Sequence, residues 1–247
     1  MYCRDVDAPG FLQLAGHPVR WQLLAALGRS DRQVRELTEL VGEPQNLVSY
    51  HLGKLRSGGL VTARRSSFDG RDTYYAVELA QLRAQLVAAG AAVHPGLQLQ
   101  PPALRPGSRT ARVLFLCTGN SARSQMAEAL ARRRSGGRIE ACSAGSAPKP
   151  LHPFAVQAIK EEFGISLRGA RPKHLSAFEG QPIDWVITLC DRVREVCPEF
   201  PGADAAHWSM PDPSGEDLDV FRKLAHDIDT RVGLLVGALT HPQEASW

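Results

Sequence analysis

Between His94 and Ser108 the chain carries four prolines and two glycines in fifteen residues. Proline fixes φ and removes a backbone donor, so no helix or strand of useful length crosses such a run. Pro101-Pro102 favours an extended, semi-rigid spacer. The competing reading is a long loop inside one domain, but structureless loops of this length are uncommon there. The expectation is two domains, 1–93 and 111–247, joined by a linker over 94–110. A total of 247 residues suits one or two domains. No repeat relates the two sides.

Hydrophobic residues at 43% and charged residues at 22% exclude a disordered, collagen-like or coiled-coil chain. The longest stretch of apolar residues and glycine, near Leu86–Val93, falls far short of the roughly 18 residues a bilayer requires. Met1–Asp5 opens without the apolar core of a signal peptide, so a cytoplasmic protein without a membrane partner is expected. The net charge of +3 is shared between the two sides, and any nucleic-acid partner must be argued from a motif. The five cysteines are Cys3, Cys117, Cys142, Cys190 and Cys197. Their odd number and wide spread argue against a disulfide scaffold, and no Cys/His cluster has zinc spacing, so no metal site is expected. Thiols that matter here matter as reactive groups.

The N-terminal side reads as short helices followed by a hairpin. Val19, Leu23, Leu24 and Leu27 form one apolar stripe, and Val34, Leu37, Leu40 and Val41 form another. A third helix opens at Pro44, carries Leu47, Val48, Leu52 and Leu55, and stops at Gly58-Gly59. Leu60–Arg65 and Thr73–Val77 are strand-like around a tip at Ser67–Gly70, and a last helix covers about Leu79–Val93. Helix 34–41, a short turn and helix 44–57 make a helix-turn-helix. Its second helix turns Gln45, Asn46, Ser49, Tyr50 and Lys54 outward, groups suited to base edges and phosphates in a major groove. Arg64, Arg65 and Arg71 flank the hairpin, within reach of phosphates. The alternative is a small helical domain whose solvated face is polar.

Leu14–Arg20, Val48–Leu55 and Gly58–Val61 resemble the ArsR-type winged-helix repressors over about residues 9–93. The resemblance implies a mostly-α winged helix-turn-helix, a homodimer on a two-fold-related operator DNA, and release when an effector binds. Arsenic-sensing members often carry close cysteines on the helix before the recognition helix. Here Val34–Val41 has none, and the closing helix lacks the His/Asp ligands of zinc-sensing relatives. Any inducer is therefore expected outside helix 34–41, with Cys3 paired between subunits, or reduced Cys190 and Cys197, as candidate thiols. His51 reads as a packed residue.

The C-terminal side alternates strand and helix. Strand-like runs are Val113–Cys117, Ile139–Ser143, Trp185–Cys190 and a weaker one near Ala205–Trp208, with helices at Ser124–Arg134, Pro153–Phe163 and Leu218–Leu239. That order implies an α/β domain with a four-stranded parallel sheet. Its strongest motif is Cys117-Thr118-Gly119-Asn120-Ser121-Ala122-Arg123-Ser124. A cysteine leaves an apolar strand and enters a short loop, an arginine follows six positions later, and then a helix begins. Inward-facing amides and the helix N-terminus make an oxyanion trap that also stabilises a thiolate at Cys117. Arg123 supplies a two-pronged guanidinium. Asp212-Pro213 offers a carboxylic acid that could protonate a leaving oxygen, or simply a turn.

Together Cys117, Arg123 and Asp212 resemble the low-molecular-weight tyrosine phosphatase fold, whose Asp-Pro loop faces the anion loop. Phosphoester hydrolysis and arsenate reduction share that scaffold, and the loop alone does not choose between them. Cys190 ends its strand as Cys117 does, so both thiols should emerge at the carboxyl edge of the sheet. Cys197 follows seven positions later. If helical, those steps would part the two alpha carbons by roughly 10.5 Å, against the limit of about 7 Å for a disulfide, so joining them requires unwinding.

Over about residues 111–240 the chain resembles the thioredoxin-coupled arsenate reductases. The shared segments are Cys117–Ala129, Ser143-Ala144-Gly145, Arg171-Pro172-Lys173, the Cys190/Cys197 spacing and His207–Pro213. The resemblance implies arsenate as substrate, a Cys117–Cys190–Cys197 relay and thioredoxin as external reductant, with no tightly bound cofactor. Asn120 and Glu128 match positions that bind potassium in some relatives. Ala122 departs from the cysteine many of these reductases have there, outside the relay. Ser214-Gly215 follow Asp-Pro where the phosphatase branch usually has tyrosines. Cys142 reads as packing. The expected whole is an arsenic-responsive repressor fused to an arsenate reductase. The rivals are a tyrosine phosphatase fused to a DNA-binding domain and a repressor with a catalytically silent oxyanion sensor.

Overall fold

The computed structural model describes residues 9–68, 70–94, 111–196 and 200–240. The described residues divide into two compact units that part within the proline-rich segment, with Ser67 and Phe68 grouped with the second. Residues 95–110 of the expected linker lie outside the described residues, as do Cys3, Asp69 of the expected hairpin tip, and Cys197.

The first unit runs α1 (Gly10–Ala15), α2 (Pro18–Arg29), β1 (Arg32–Gln33), α3 (Val34–Val41), α4 (Gln45–Ser57), β2 (Val61–Arg65), β3 (Thr73–Val77) and α5 (Leu79–Val93). The strands form an antiparallel sheet in the order β1-β3-β2. α3 starts at a reciprocal cap, with Gln33 N–H donating to Glu36 Oε2 (2.8 Å), and stops at Gly42, whose φ of +70° favours glycine. Pro44 then sits just outside α4 rather than inside its first turn. Leu23, Leu37, Leu52 and Leu55 are fully buried and form the centre of this unit's core. Leu40, read from the sequence as part of the α3 stripe, is 57% exposed. At about 100° per residue it lies on the side of Leu37 opposite to Val34 and Val41, and the core is on their side. α1 and β1 went unread because six and two residues are too few to show a period.

The second unit runs β4 (Ala111–Cys117), α6 (Arg123–Ser135), β5 (Ile139–Gly145), α7 (Pro153–Phe163), a 3-10 turn at Leu175–Phe178, β6 (Trp185–Thr188), α8 (Asp191–Val196), β7 (Asp204–His207) and α9 (Leu218–Thr240). Its four strands are parallel, in the order β5-β4-β6-β7. β4 is central, with Phe115 opposite Ser143 on one side and Ile187 on the other. That position buries both of its faces, which is why Val113–Leu116 is an unbroken apolar run with no exposure. The winged helical unit and the four-stranded α/β unit are the two folds the pattern implied.

β6 ends earlier than its apolar run. Leu189 N–H donates the last sheet bond to Leu116 O (2.7 Å), and the Cys190 carbonyl already accepts from Arg194 N (3.2 Å). Cys190 therefore stands at the head of α8, two residues beyond the strand. Among the described residues no helix is long and apolar enough to cross a membrane.

Because Phe115 has no exposed surface at the middle of the central strand, Phe115→Ala should cost about 3–5 kcal/mol. Chemical denaturation of the full chain measures it. A loss below about 1 kcal/mol would mean that β4 is not the centre of the core.

Candidate functional site

Cys117 is the last residue of β4 and Arg123 the first of α6, so the loop between them lies at the carboxyl edge of the sheet. Three of the loop's carbonyls are fixed by the segment after β5: Thr118 O accepts from Ala147 N, Gly119 O from Lys149 N and Ser121 O from His152 N, each at 2.9 Å. A trans peptide points its N–H opposite to its C=O, so the amides of Gly119, Asn120 and Ala122 turn to the inner side of the loop. Amides gathered on one side of a loop in this way are suited to an oxyanion.

Asn120 is fully buried with φ +43°, the one described residue other than glycine in the left-handed region. Its amide fixes that conformation. Nδ2 donates to Ser124 Oγ and to Ser143 Oγ, both at 2.8 Å, while Oδ1 accepts from Gln125 Nε2 (3.0 Å) and from Lys173 N (2.8 Å). Ser124 Oγ in turn lies 3.0 Å from Cys117 Sγ, placed to donate to a thiolate. Gly145, at the end of β5, passes directly under the loop: a Cβ there would meet Thr118 O at 2.5 Å and Asn120 N at 2.8 Å.

Arg123 is nearly buried. One terminal nitrogen donates to Met210 O (3.2 Å), and the other lies 3.4 Å from Asp212 Oδ1. Burial alone would raise the Asp212 carboxyl. The Arg123 guanidinium, the Ser214 hydroxyl and amide, and Lys149 outweigh it and hold this acid below its usual range. Cys190 is 2% exposed, with its Sγ 3.3 Å from Thr118 Oγ1 of the loop. Burial pushes its thiol up, with Arg123 acting the other way. Cys117, Arg123, Cys190 and Asp212 line one cavity, together with Thr118, Gly119, Ser121 and Ala122. The sequence reading missed Lys149 and His152, which also line it. Neither sits in a motif, and only the fold of the 146–152 segment brings them there. Cys142, in β5, is buried, and burial raises its thiol too.

Below the loop, Glu128 accepts from Arg132 through Oε1 (2.6 Å), and its Oε2 takes the Ser143 hydroxyl and lies 3.5 Å from Lys173 Nζ. The potassium that Asn120 and Glu128 suggest does not fit this arrangement. The oxygens that would coordinate it already accept protein donors, and two of those donors are cations. Among the described residues no group of three or more His, Cys, Asp or Glu is placed to hold a metal ion.

In the first unit, Gln45, Asn46, Ser49, Tyr50 and Lys54 of α4 are exposed, as the stripe required. Tyr50 keeps 56% of its surface, with Lys54 Nζ 5.5 Å above its ring. Gln45, Ser49 and Arg71 share a groove of about 390 Å³. Arg65 is exposed and Arg64 half-buried, its guanidinium bonded to Arg65 O (2.9 Å); both are on β2 and outside that groove. His51 is packed, its ring 4.4 Å from His17, and burial followed by His17 lowers its pKa.

Residues 112–245 match the low molecular weight phosphotyrosine protein phosphatase family. The chain belongs to this family. Residues 17–63 match the bacterial regulatory protein, arsR family, so a helix-turn-helix of that kind is fused ahead of the phosphatase-family unit. Among curated relatives, the glutaredoxin arsenate reductase of Synechocystis sp. is 34% identical over 130 residues, covering 52% of this chain and 98% of the relative. Arsenate reductase 1 of Bacillus cereus is 35% identical over 121 residues, covering 49% and 90%. A solved structure described as an arsenate reductase in oxidized state is 33% identical, with a TM-score of 0.48, and spans 51% of this chain and 97% of that one.

Gly145→Ala should break the loop from below, because the atoms its Cβ meets are backbone. Phosphate binding measured by calorimetry should weaken at least about tenfold, or about 1.4 kcal/mol. Unchanged affinity would show that the loop does not rest on β5.

Proposed function

We propose that the second unit reduces arsenate to arsenite through Cys117, Cys190 and Cys197, and that the first unit is an operator-binding repressor. The observation that carries the enzymatic reading is Cys190, a buried thiol in the same cavity as Cys117 and 3.3 Å from the anion loop. Phosphoester hydrolysis has no use for a second thiol. The relatives named arsenate reductase and the Ser214-Gly215 that follow Asp212-Pro213 support the same choice.

Arsenate sits on the loop amides with Arg123 bridging two of its oxygens. The Cys117 thiolate attacks arsenic, an S–As bond forms, and one oxygen leaves as water. Asp212 donates a proton to that oxygen. Its pairing with Arg123 keeps it ionised at rest; once the anion draws the guanidinium away, the half-exposed carboxyl takes a proton from solvent and passes it to an arsenate hydroxyl, which leaves as water. The Cys190 thiolate then attacks Cys117 Sγ. The S–S bond forms as the S–As bond breaks, its electron pair stays on arsenic, and arsenic(V) leaves as arsenite. Cys197 attacks Cys190 Sγ and releases Cys117 as a thiolate. α8 is helical from Asp191 to Val196; a helix carried on to position 197 would part the two alpha carbons by roughly 10.5 Å, so the pair joins only if that stretch is unwound. A dithiol protein of the thioredoxin type returns the two electrons by exchange with the resulting disulfide.

For the first unit, the exposed side chains of α4 read bases in the major groove, while Arg64, Arg65 and Arg71 hold phosphates. A homodimer presents two such helices to a two-fold-related site.

Cys117→Ser should abolish arsenate reduction and phosphoester hydrolysis alike. Cys190→Ser and Cys197→Ser should stop multiple turnover with a thioredoxin system yet keep weak phosphatase activity. Normal turnover by both variants would refute the relay. Because burial raises the Cys190 thiol, it is mainly protonated at neutral pH, and single-turnover arsenite release should quicken as pH rises above neutral. A flat profile would remove Cys190 from the rate-limiting step.

Footprinting upstream of arsenic-resistance genes tests the DNA reading. Loss of the Gln45, Asn46, Ser49 or Tyr50 side chains should erode sequence preference, whereas loss of Arg64 or Arg65 should weaken binding to all sequences alike. A folded dimer that protects no site would contradict it.

A further inference from the structure

The geometry points to Lys173 as a built-in monovalent cation, a positioning residue that holds the floor of the anion loop where some similar reductases place potassium. Lys173 grips the loop in three ways. Its backbone N–H donates to Asn120 Oδ1 (2.8 Å), its carbonyl accepts from Gly145 N (2.9 Å), and its ammonium lies 3.5 Å from Glu128 Oε2. From Glu128 the connection runs through the Ser143 hydroxyl to Asn120 Nδ2, then through Ser124 Oγ to Cys117 Sγ. A carboxylate that is only 9% exposed needs positive charge beside it. Lys173 on Oε2 and Arg132 on Oε1 supply that charge.

A potassium ion would need the same oxygens. Asn120 Oδ1 already takes two N–H donors, Ser143 Oγ accepts from Asn120 while donating to Glu128, and both Glu128 oxygens are bound. The ion would also face two protein cations across one carboxylate. Carrying the cation on the chain removes the dependence on the solvent's. The inference does not require that the loop's turnover be arsenate reduction, because phosphate uses the same nest.

The test uses the full chain in potassium chloride and in choline chloride at equal ionic strength. It reads three quantities: the dissociation constant for inorganic phosphate, the melting temperature, and kcat/KM for phosphoester hydrolysis or arsenate reduction. The wild-type protein should differ by less than about twofold between the salts, since a screened surface effect is shared by both. Lys173→Met should weaken phosphate binding about tenfold, the scale of one charge-assisted contact. Potassium, but not choline, should restore part of the binding and the melting temperature. Lys173→Arg should behave as wild type, and Lys173→Asp should make the protein potassium-responsive. Strong potassium dependence in the wild type would overturn the proposal. So would a Lys173→Met protein that binds phosphate and melts as wild type in both salts. If Lys173→Met fails to fold, the wild-type salt comparison and Lys173→Arg still decide it.

Discussion

The side chain of Asn120 makes four hydrogen bonds, three of them buried, and the shape of the loop hangs from them. A left-handed conformation at a residue other than glycine costs about 1–3 kcal/mol. Four hydrogen bonds at about 0.5–1.5 kcal/mol each are enough to offset it. What the loop gains is a fixed inward set of its amides, ready before an anion arrives. The same network ties the loop to three separate pieces of the fold: α6 through Ser124 and Gln125, β5 through Ser143, and the segment before the 3-10 turn through Lys173. Gly145 belongs to this constraint as well, since the strand must pass where a Cβ would collide with the loop's backbone.

Phosphate and arsenate are nearly alike in shape and charge, so the loop alone does not choose between them and reaction type is decided outside it. On the proposed reading, Cys190 makes that decision. The β6 ladder ends at Thr188, which sets Cys190 at the head of α8 and beside Thr118 rather than in the sheet. Burial raises its thiol, which protects it from oxidation while it rests beside Thr118 of the loop. α8 is only six residues long, and its first residue, Asp191, is anchored by His207 Nε2 (3.2 Å) and Ser209 Oγ (2.7 Å), so any opening of the kind proposed would involve the part of the helix beyond it.

Much of this was legible in the residues. Val113–Leu116 showed a buried parallel strand, and Cys117 to Ser124 showed an anion loop, because both depend on local order. The outward set Gln45, Asn46, Ser49, Tyr50 and Lys54 followed from helical period alone. Other features were not local. The partners of Asn120 lie at positions 124, 125, 143 and 173, and only the closed sheet brings them together. Lys173 carried no chemical signal within Arg171-Pro172-Lys173, because the carboxylate its ammonium faces, Glu128, is far away in sequence. Leu40 and the end of β6 were misread for a simpler reason: an apolar residue reports that burial is favourable, not which neighbour provides it.

The central claim is that electrons for arsenate come from thiols of this chain. A single turnover of the fully reduced protein with arsenate, without any external reductant, tests it most directly. The account predicts one arsenite released per chain, two thiols lost, and a Cys190–Cys197 disulfide found by peptide mapping. Bound arsenate with every thiol still free, or a disulfide that involves neither Cys190 nor Cys197, would contradict it.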